Sequence, residues 1–284
     1  GGLSVEEHVR RRLASVQHNR AEWFVGCVDG EVVTSLGAYP LQFRCRGRIV
    51  PGIAIGAVHT RADCRGRGHA PLLIRDVERQ VRAASGAAIG LLYSDIDPGY
   101  YARLGYVECP AWTADFDPRD AAFDAAENAA GEITRLSPGD AAGQMSELYR
   151  ASYADRPVSI HRDEDYWRFL CLKSPDDDIY VLGPLDEILG YVRLRLDKGS
   201  LRIRDAAARG ADFGPLMNAV VSVARRRGAD RVTGWLPKPP PELQHFTVRR
   251  RTDEITMLKS LSDDVAIDAA VVTAAEDFRE IDHV

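Results

Sequence analysis

A short loop near residue 65 contains the residue types best suited to binding a phosphate group. It reads Arg65-Gly66-Arg67-Gly68-His69-Ala70 and lies between a predicted strand and a predicted helix. Glycine lets the backbone approach a ligand without a clash from a Cβ atom. The N–H groups at the start of a helix attract anions, and the helix dipole adds to that attraction. The loop therefore predicts a diphosphate site, to which the arginines add positive charge.

Two familiar phosphate-binding motifs do not fit this loop. A P-loop ends in Gly-Lys followed by Ser or Thr, and that ending does not occur in the chain. A dinucleotide fingerprint, G-x-G-x-x-G, that begins at Gly66 requires a third glycine at position 71, which is Pro71. The remaining alternative is a surface turn, rich in glycine and arginine, that binds nothing.

Hydrophobic periodicity and helix signals predict the elements on both sides of the loop. An apolar strand at Ile53–Thr60 precedes it. A helix follows it, because Pro71 suits a first turn, apolar residues recur every four positions, and Gly86 is a C-terminal stop signal. A buried strand at Ala88–Tyr93 and a short helix at Pro98–Leu104 come next.

The chain before these elements is predicted to form a helix and three strands. The helix is amphipathic and covers Val5–Val16. Strands at Trp23–Val28 and Val32–Tyr39 are joined by Asp29-Gly30, which is a strong hairpin signal. A third strand covers Leu41–Arg46.

A change in composition divides the chain into two domains. Residues 117–131 lose the apolar periodicity and become rich in Asp and Ala, so we predict a linker at residues 118–131. The first domain then covers residues 1–117 and the second covers residues 132–261. An acidic C-terminal tail is predicted at residues 262–284.

The sequence pattern of the second domain resembles a degenerate repeat of the first. A hairpin that starts at Ile179 echoes the one that starts at Trp23, and Gly214-Pro215 echoes Ala70-Pro71 at the start of a helix. The alternative is that two similar α/β patterns occur by chance. The predicted fold class is α/β (α+β), with two tandem domains that each contain a mixed, mostly antiparallel sheet flanked by helices.

Composition argues against several classes of protein. A net charge of −5 and a pI of about 5.8 argue against a nucleic-acid partner. The five cysteines are scattered and the histidines show no paired spacing, so we predict no metal site and a reducing, cytoplasmic compartment. No apolar run reaches about 18 residues and no signal-peptide pattern is present, so we predict no membrane partner. The chain starts at Gly1 without Met, which predicts a processed or truncated start.

Two motifs resemble those of the GNAT superfamily of acetyltransferases. The pattern Arg65-x-x-Gly68-x-Ala70 before a Leu-rich helix resembles its motif A, and Tyr101-x-x-x-Gly105-Tyr106 resembles its tyrosine helix. The resemblance covers about residues 20–112. It implies acetyl-CoA as co-substrate, no metal, and direct transfer of an acetyl group to an amine.

The chain is also similar to the tandem-GNAT, enhanced-intracellular-survival-like group, in which a competent first domain precedes a degenerate second one. We expect no third, sterol-carrier-like domain, and an opening strand and helix usual in the family are not evident before Leu3. The second domain lacks the glycine-rich loop, so we expect it to bind no CoA. We expect it instead to form one wall of the acceptor site. Some members of that group use their C-terminal carboxylate in the active site, and we do not assign this role to Val284.

The resemblance assigns roles to individual residues. It implies contacts to the co-substrate from backbone of the strand, from the loop and from the tyrosine helix, that is from Ala57, Val58, His59, Thr60, Arg65, Gly66, Arg67, Gly68, His69, Ala70 and Tyr101. The Val58 N–H is expected to polarise the thioester oxygen. Tyr101 is expected to protonate the departing CoA thiolate, and the alternative is a packed aromatic ring.

The base and the acceptor are less closely defined by the sequence. Asp95 and Asp97 are candidates to take the proton of the amine, and the alternative is that they cap a turn. The aromatic residues available to line an acceptor pocket, or to form core, are Trp23, Phe24, Tyr39, Tyr93 and Trp112. We predict an N-acetyltransferase for a small-molecule primary amine. The alternatives are a protein lysine or N-terminal acetyltransferase and a non-catalytic CoA-binding protein, and a homo-oligomer is compatible with the sequence.

Overall fold

A computed structural model describes residues 19–120, 132–237 and 247–283, together with Ser4, Glu6 and Val9. The contacts divide the chain into two compact units. The first contains residues 1–109 and 253–273, and the second contains residues 110–252 and 274–283. Most of the predicted helix at Val5–Val16, most of the predicted linker at residues 118–131, and Val284 lie outside the described residues, and Glu6 and Val9 within that helix are helical.

The first unit is built on a sheet with the strand order β1-β2-β3-β4-β14-β5. Its neighbouring strands are antiparallel except for the parallel pair β3 and β4. The strands are β1 (Glu22–Val28), β2 (Glu31–Cys45), β3 (Arg48–Thr60), β4 (Ile89–Ser94), β5 (Val107–Glu108) and β14 (Ile255–Ser260). The helices are α1 (His69–Ser85), α2 (Gly99–Ala102) and α6 (Ala269–Ala274).

Local sequence signals account for most of these boundaries. Asp29 and Gly30 both adopt the positive φ that a tight hairpin between β1 and β2 requires. Gly68 and Gly86 stand in the left-handed conformation at the two ends of α1. The two strands predicted before and after Pro40 form the single strand β2, because loss of one N–H donor at proline leaves the pairings on both sides intact.

The last strand of the chain lies in the first sheet, whereas the sequence analysis assigned it to the second domain. β14 pairs with β4 along its whole length, from Ile255 opposite Ser94 to Ser260 opposite Ile89, and also pairs with β5. Residues 255–258 are all buried, so this strand is covered on both faces. An apolar pattern predicts that a strand forms but does not say which sheet receives it.

The second unit repeats the arrangement of the first, with the strand order β13-β6-β12-β11-β10-β9-β7. Helix α5 connects the parallel strands β11 and β12, as α1 connects β3 and β4. The strands are β6 (Trp112–Phe116), β7 (Ile133–Leu136), β8 (Val158–Ile160), β9 (Asp178–Leu182), β10 (Gly190–Asp197), β11 (Ser200–Ala208), β12 (Arg231–Trp235) and β13 (Val248–Arg250); the helices are α3 (Pro138–Ser152), α4 (Glu164–Lys173) and α5 (Phe213–Arg226). Two mixed, mostly antiparallel sheets flanked by helices confirm the predicted fold class.

A buried ion network joins the end of the chain to the core of the second unit. The Arg162 side chain is fully buried and donates two hydrogen bonds to Asp205, at 2.7 and 3.2 Å, and two to Asp282, at 2.7 and 3.2 Å. Its guanidinium lies 4.0 Å from the centre of the Tyr149 ring. Glu280 accepts hydrogen bonds from two more arginines, Arg202 and Arg204. Residues 274–283, predicted to be part of an acidic tail, are therefore folded into this unit.

Candidate functional site

The loop before α1 presents backbone amides without partners. Gly66 and Gly68 have φ values of 75° and 80°, a conformation that glycine adopts without strain. Gly68 caps α1, and the first hydrogen bond of the helix runs from the Leu72 amide to the Gly68 carbonyl at 3.2 Å. Among the described residues, none accepts a backbone hydrogen bond from the amides of residues 66–70. Such a group of amides at a helix start can bind an anion.

Strand β3 separates from β4 next to this loop, while it stays paired with β2 as far as Thr60. Its parallel pairing with β4 runs from Gly52 to Ile55 and then ends. Ala57 has a φ of 50°, which is unusual for a residue other than glycine, and the register with β2 shifts at this point. Because the pairing has ended, backbone of residues 56–60 is available to a ligand that enters between β3 and β4.

A cleft of about 830 Å³ opens where the two strands separate. It contains every co-substrate residue predicted from the sequence except Arg67, and it also contains Asp95 but not Asp97. Of the aromatic residues proposed for an acceptor pocket, Tyr93 lines it and Trp23, Phe24 and Tyr39 do not. The full lining is Ile55, Gly56, Ala57, Val58, His59, Thr60, Cys64, Arg65, Gly66, Gly68, His69, Ala70, Pro71, Tyr93, Asp95, Ile96, Tyr100, Tyr101 and Arg103.

Tyr101 is half-buried in the wall of the cleft. Its ring packs edge-on against Tyr100, at a centroid distance of 5.0 Å, and against Tyr106, at 6.2 Å. Burial raises the pKa of Tyr101 to about 12, and the neighbouring Tyr100 and the Asp95 carboxylate add to the shift. The hydroxyl therefore keeps its proton throughout the neutral and mildly alkaline range.

The two candidate carboxylates both accept hydrogen bonds from backbone amides. Asp97 Oδ1 accepts from the Gly99 amide at 2.9 Å, at the start of α2, as expected of a capping residue. Asp95 Oδ1 accepts from the Glu254 amide at 3.3 Å and lines the cleft. Asp95 is therefore the candidate that has both access to the cleft and a fixed position.

Sequence reasoning missed some of the lining residues. Arg103 lies inside the tyrosine motif, at a position that the motif leaves unspecified, so no signal marked it. Cys64 and Ile96 are sequence neighbours of the predicted site residues Arg65 and Asp95, and they line the cleft with them.

Two classes of feature are not found in the described part of the chain. No group of three or more His, Cys, Asp and Glu side chains there is arranged to hold a metal ion. None of the helices described is both long enough and apolar enough to span a bilayer.

Comparison with protein families gives one match. The model of the acetyltransferase (GNAT) domain matches residues 4–109, the segment that contains the loop, the cleft and the tyrosine helix. A comparison with curated proteins gives no match.

Solved structures similar to this chain share its fold across both units. A GCN5-related N-acetyltransferase from Kribbella flavida superposes with a TM-score of 0.67 at 20% identity, over 91% of this chain and 66% of that one. A probable N-acyltransferase from Enterococcus faecalis gives 0.71 at 15% identity, over 92% of this chain and 66% of that one. Eis1 from Mycobacterium abscessus gives 0.59 at 17% identity, over 92% of this chain and 73% of that one.

The chain thus spans about two thirds of the length of the first two of these proteins. At these identities the likeness shows a common fold, and the assignment to a family comes from the match over residues 4–109. That match identifies residues 4–109 as an acetyltransferase (GNAT) domain.

Proposed function

We propose that the chain is an N-acetyltransferase that moves an acetyl group from acetyl-CoA to the primary amine of a small molecule. The unpartnered amides of residues 66–70 at the start of α1 carry this proposal. They form a site for a diphosphate, and the adjoining cleft is large enough for an elongated ligand. When bound, acetyl-CoA supplies an activated thioester carbonyl.

Strand β3 and the loop would hold the two ends of the co-substrate. The loop amides bind the diphosphate, with Arg65 beside them. Residues 57–60 offer backbone groups to the pantetheine, because β4 no longer pairs with them. The Val58 N–H is the donor we assign to the thioester oxygen, where negative charge develops during attack.

Two side chains in the cleft would transfer the protons of the reaction, one from the amine and one to the CoA thiolate. The amine must be neutral before it attacks, and an alkyl ammonium has a pKa of about 10. Asp95 accepts that proton, directly or through a water molecule, and Tyr101 donates one to the departing thiolate. The carboxylate of Asp95 and the aromatic rings of Tyr93 and Tyr100 also attract a cationic acceptor into the cleft.

The second unit is proposed to bind no CoA. Its loop after β11 contains Gly210 but no second glycine at the spacing found before α1. The pairing of β11 with β12 ends at Ile203 and Gly234. Beyond that point, residues near the C-terminal end of the second unit contact both strands. Arg279 Nε donates to the Ala206 carbonyl at 3.3 Å, and the His283 ring packs edge-on against Trp235 at 5.8 Å. These contacts fill part of the slot equivalent to the cleft of the first unit, and a cavity of about 540 Å³ lined by Ala207, Ala208, Gly210 and Phe213 remains beside them.

Ligand-induced stabilisation and a turnover assay test the proposal together. Acetyl-CoA at about 100 times its Kd is expected to stabilise the folded chain by about 2.7 kcal/mol, seen as a rise in Tm. Release of free thiol is then measured over a panel of polyamines, amino acids, aminoglycosides and lysine peptides. No rise in Tm would refute the co-substrate assignment. Turnover of the peptides alone would refute the small-molecule acceptor.

Replacing Tyr101 with phenylalanine is expected to lower kcat by about 10- to 100-fold and to leave acetyl-CoA affinity nearly unchanged. The loss is limited because a thiol with a pKa of about 8.5 can leave partly unassisted. Thiol release at saturating acetyl-CoA measures the first quantity, and titration calorimetry measures the second. Tyr100→Phe, on the same short helix, is the matched control and is expected to retain most of the rate.

The pH profile of the unmodified chain provides a second measure of the same role. Since the pKa of Tyr101 is about 12, its proton remains available while the amine, with a pKa of about 10, loses its own. The rate is therefore expected to rise from about pH 7 to about pH 10 without an alkaline fall. A fall within that range, or an equal loss of kcat and affinity in Tyr101→Phe, would count against Tyr101 as the acid.

A further inference from the structure

The cavity of the second unit lies where the chain passes from β11 into α5, and its volume is about 540 Å³. This position corresponds to that of the loop between β3 and α1 in the first unit. All of the lining residues belong to the second unit. Ala207, Ala208, Phe213 and Pro237 provide apolar walls, and the volume is in the range of small-molecule sites. The polar groups of the lining therefore decide which small molecule fits.

One of these polar groups is a buried guanidinium whose donors are only partly used. Arg279 is 4% exposed and lines the cavity. Its Nε donates to the Ala206 carbonyl at 3.3 Å, and its Nη2 lies 3.8 Å from the carboxylate of Asp277, which has a closer partner in Arg156 at 3.0 Å. Nη1 has no hydrogen-bond partner among the described residues. Because a buried donor without a partner is costly, an acceptor supplied by a ligand would stabilise this side chain.

Another polar group of the lining is an exposed carboxylate. Asp155 lines the cavity and is exposed to solvent, so it stands at the rim. Its neighbour Arg156 pairs with Asp277 and not with Asp155. In the part of the chain that the structure describes, no cationic side chain forms an ion pair with Asp155. The cavity therefore combines an unused donor inside with an unpaired negative charge at its mouth.

These two groups together match a ligand that carries both charges. A carboxylate directed inward would accept from Arg279 in a charge-assisted hydrogen bond, which is the strong kind. An ammonium group directed outward would pair with Asp155. A polyanion such as a diphosphate fits poorly, because the carboxylates of Asp155, Glu276 and Asp277 outnumber the guanidiniums in the lining. The apolar walls suit a side chain without charge.

We propose that the cavity of the second unit binds an amino acid with an apolar side chain, through its carboxylate at Arg279 and its ammonium group at Asp155. The proposal goes beyond the proposed acetyltransferase activity and does not depend on it, since no residue of the first unit lines this cavity. It gives the second unit a binding role of its own, with a ligand unrelated to CoA.

Binding of amino acids to the full chain in the absence of acetyl-CoA tests the proposal. The standard L-amino acids are each screened at about 10 mM for a rise in Tm, and an apolar one such as L-leucine is expected to give the rise. Titration calorimetry then compares leucine with two analogues. 3-Methylbutylamine lacks the carboxylate and is expected not to bind. 4-Methylpentanoate lacks the ammonium group and is expected to bind about threefold more weakly than leucine, because an exposed ion pair contributes little.

Four variants assign the contacts to residues. Asp155→Asn is expected to remove the preference for leucine over 4-methylpentanoate and to leave the affinity for 4-methylpentanoate nearly unchanged. Asp95→Asn is the matched control, since it removes one carboxylate from the cleft of the first unit, and it is expected to keep the preference. Arg279→Gln is expected to weaken both ligands by about tenfold or more. Ala208→Leu retains both charged groups but occupies the cavity, so it is expected to weaken both ligands even if Arg279→Gln does not fold.

Three results would overturn the proposal. The first is that no amino acid raises Tm. The second is that leucine binding is lost in Asp95→Asn and kept in both Asp155→Asn and Ala208→Leu, because leucine would then be a ligand of the first unit. The third is an equal weakening of leucine and 4-methylpentanoate in Asp155→Asn, because that carboxylate would then not meet the ammonium group. Binding of acetyl-CoA is measured separately, so each of these results leaves the proposed function as it stands.

Discussion

Replacing Gly68 with glutamate is expected to abolish measurable acetyl-CoA binding while the chain remains folded. Gly68 has a φ of 80°, and any residue with a Cβ atom pays about 1–2 kcal/mol to adopt that conformation. A Cβ atom at this position meets nothing within 4 Å, so no steric clash is added. The larger effect is electrostatic, because the new carboxylate would compete with the diphosphate for the amides at the start of α1.

Two further variants separate backbone strain from charge. Gly68→Ala introduces the strain alone and is expected to weaken binding by less than about tenfold. Gly30→Glu is the matched control, since Gly30 also has a positive φ, of 83°, and open space around it, but it stands in the β1–β2 hairpin and does not line the cleft. Calorimetric titration with acetyl-CoA measures all three. If Gly68→Glu binds acetyl-CoA as well as Gly30→Glu does, the loop is not the diphosphate site.

Replacing Arg162 with methionine is expected to lower the free energy of unfolding of the second unit by about 3–5 kcal/mol. The change leaves the carboxylates of Asp205 and Asp282 buried without their common partner, since these side chains are 0% and 2% exposed. It also removes the cation held against the Tyr149 ring. Urea denaturation followed by circular dichroism measures the loss as a shift in the unfolding midpoint.

The control for this variant is an arginine that has the same number of carboxylate partners but lies on the solvent-exposed surface. Arg168 pairs with Glu164 and Asp165 on the surface of α4, where all three side chains are exposed, so Arg168→Met is expected to change the midpoint little. Adding Asp205→Asn and Asp282→Asn to Arg162→Met is expected to recover part of the loss, because no uncompensated charge then remains buried. A midpoint for Arg162→Met within error of that for Arg168→Met would contradict the buried network.

The parts of the site that the sequence predicts are those encoded by neighbouring residues. The loop at residues 65–70, the stop at Gly86 and the turn at Asp29-Gly30 each depend on glycine conformation, which acts within a few residues. The order of strand, loop, helix and strand follows from these signals. It places the loop, the end of β3 and Tyr101 at one cleft, although other lining residues such as Arg103 and Ile96 were not predicted.

The parts that could not be predicted depend on contacts between distant residues. Ala57 in β3 has a positive φ although it is not a glycine, so the sequence does not indicate the bend there. The surrounding sheet imposes this conformation. The acidic residues near the end of the chain resembled a solvated tail because their partners, Arg162, Arg202 and Arg204, lie far away in sequence. A pattern of charges does not reveal whether a charge is paired inside the protein.

The placement of β14 has a consequence for how the protein is made. A nascent chain leaves the ribosome from its N-terminus, and domains that are continuous in sequence fold as they emerge. The first sheet cannot be completed in this way, because the strand that pairs with β4, residues 255–260, is translated after nearly all of the second unit. Until then the edge of β4 is an unpaired apolar strand, open to association with other chains. A product that stops short of residue 255 would therefore be more prone to aggregation than to partial activity.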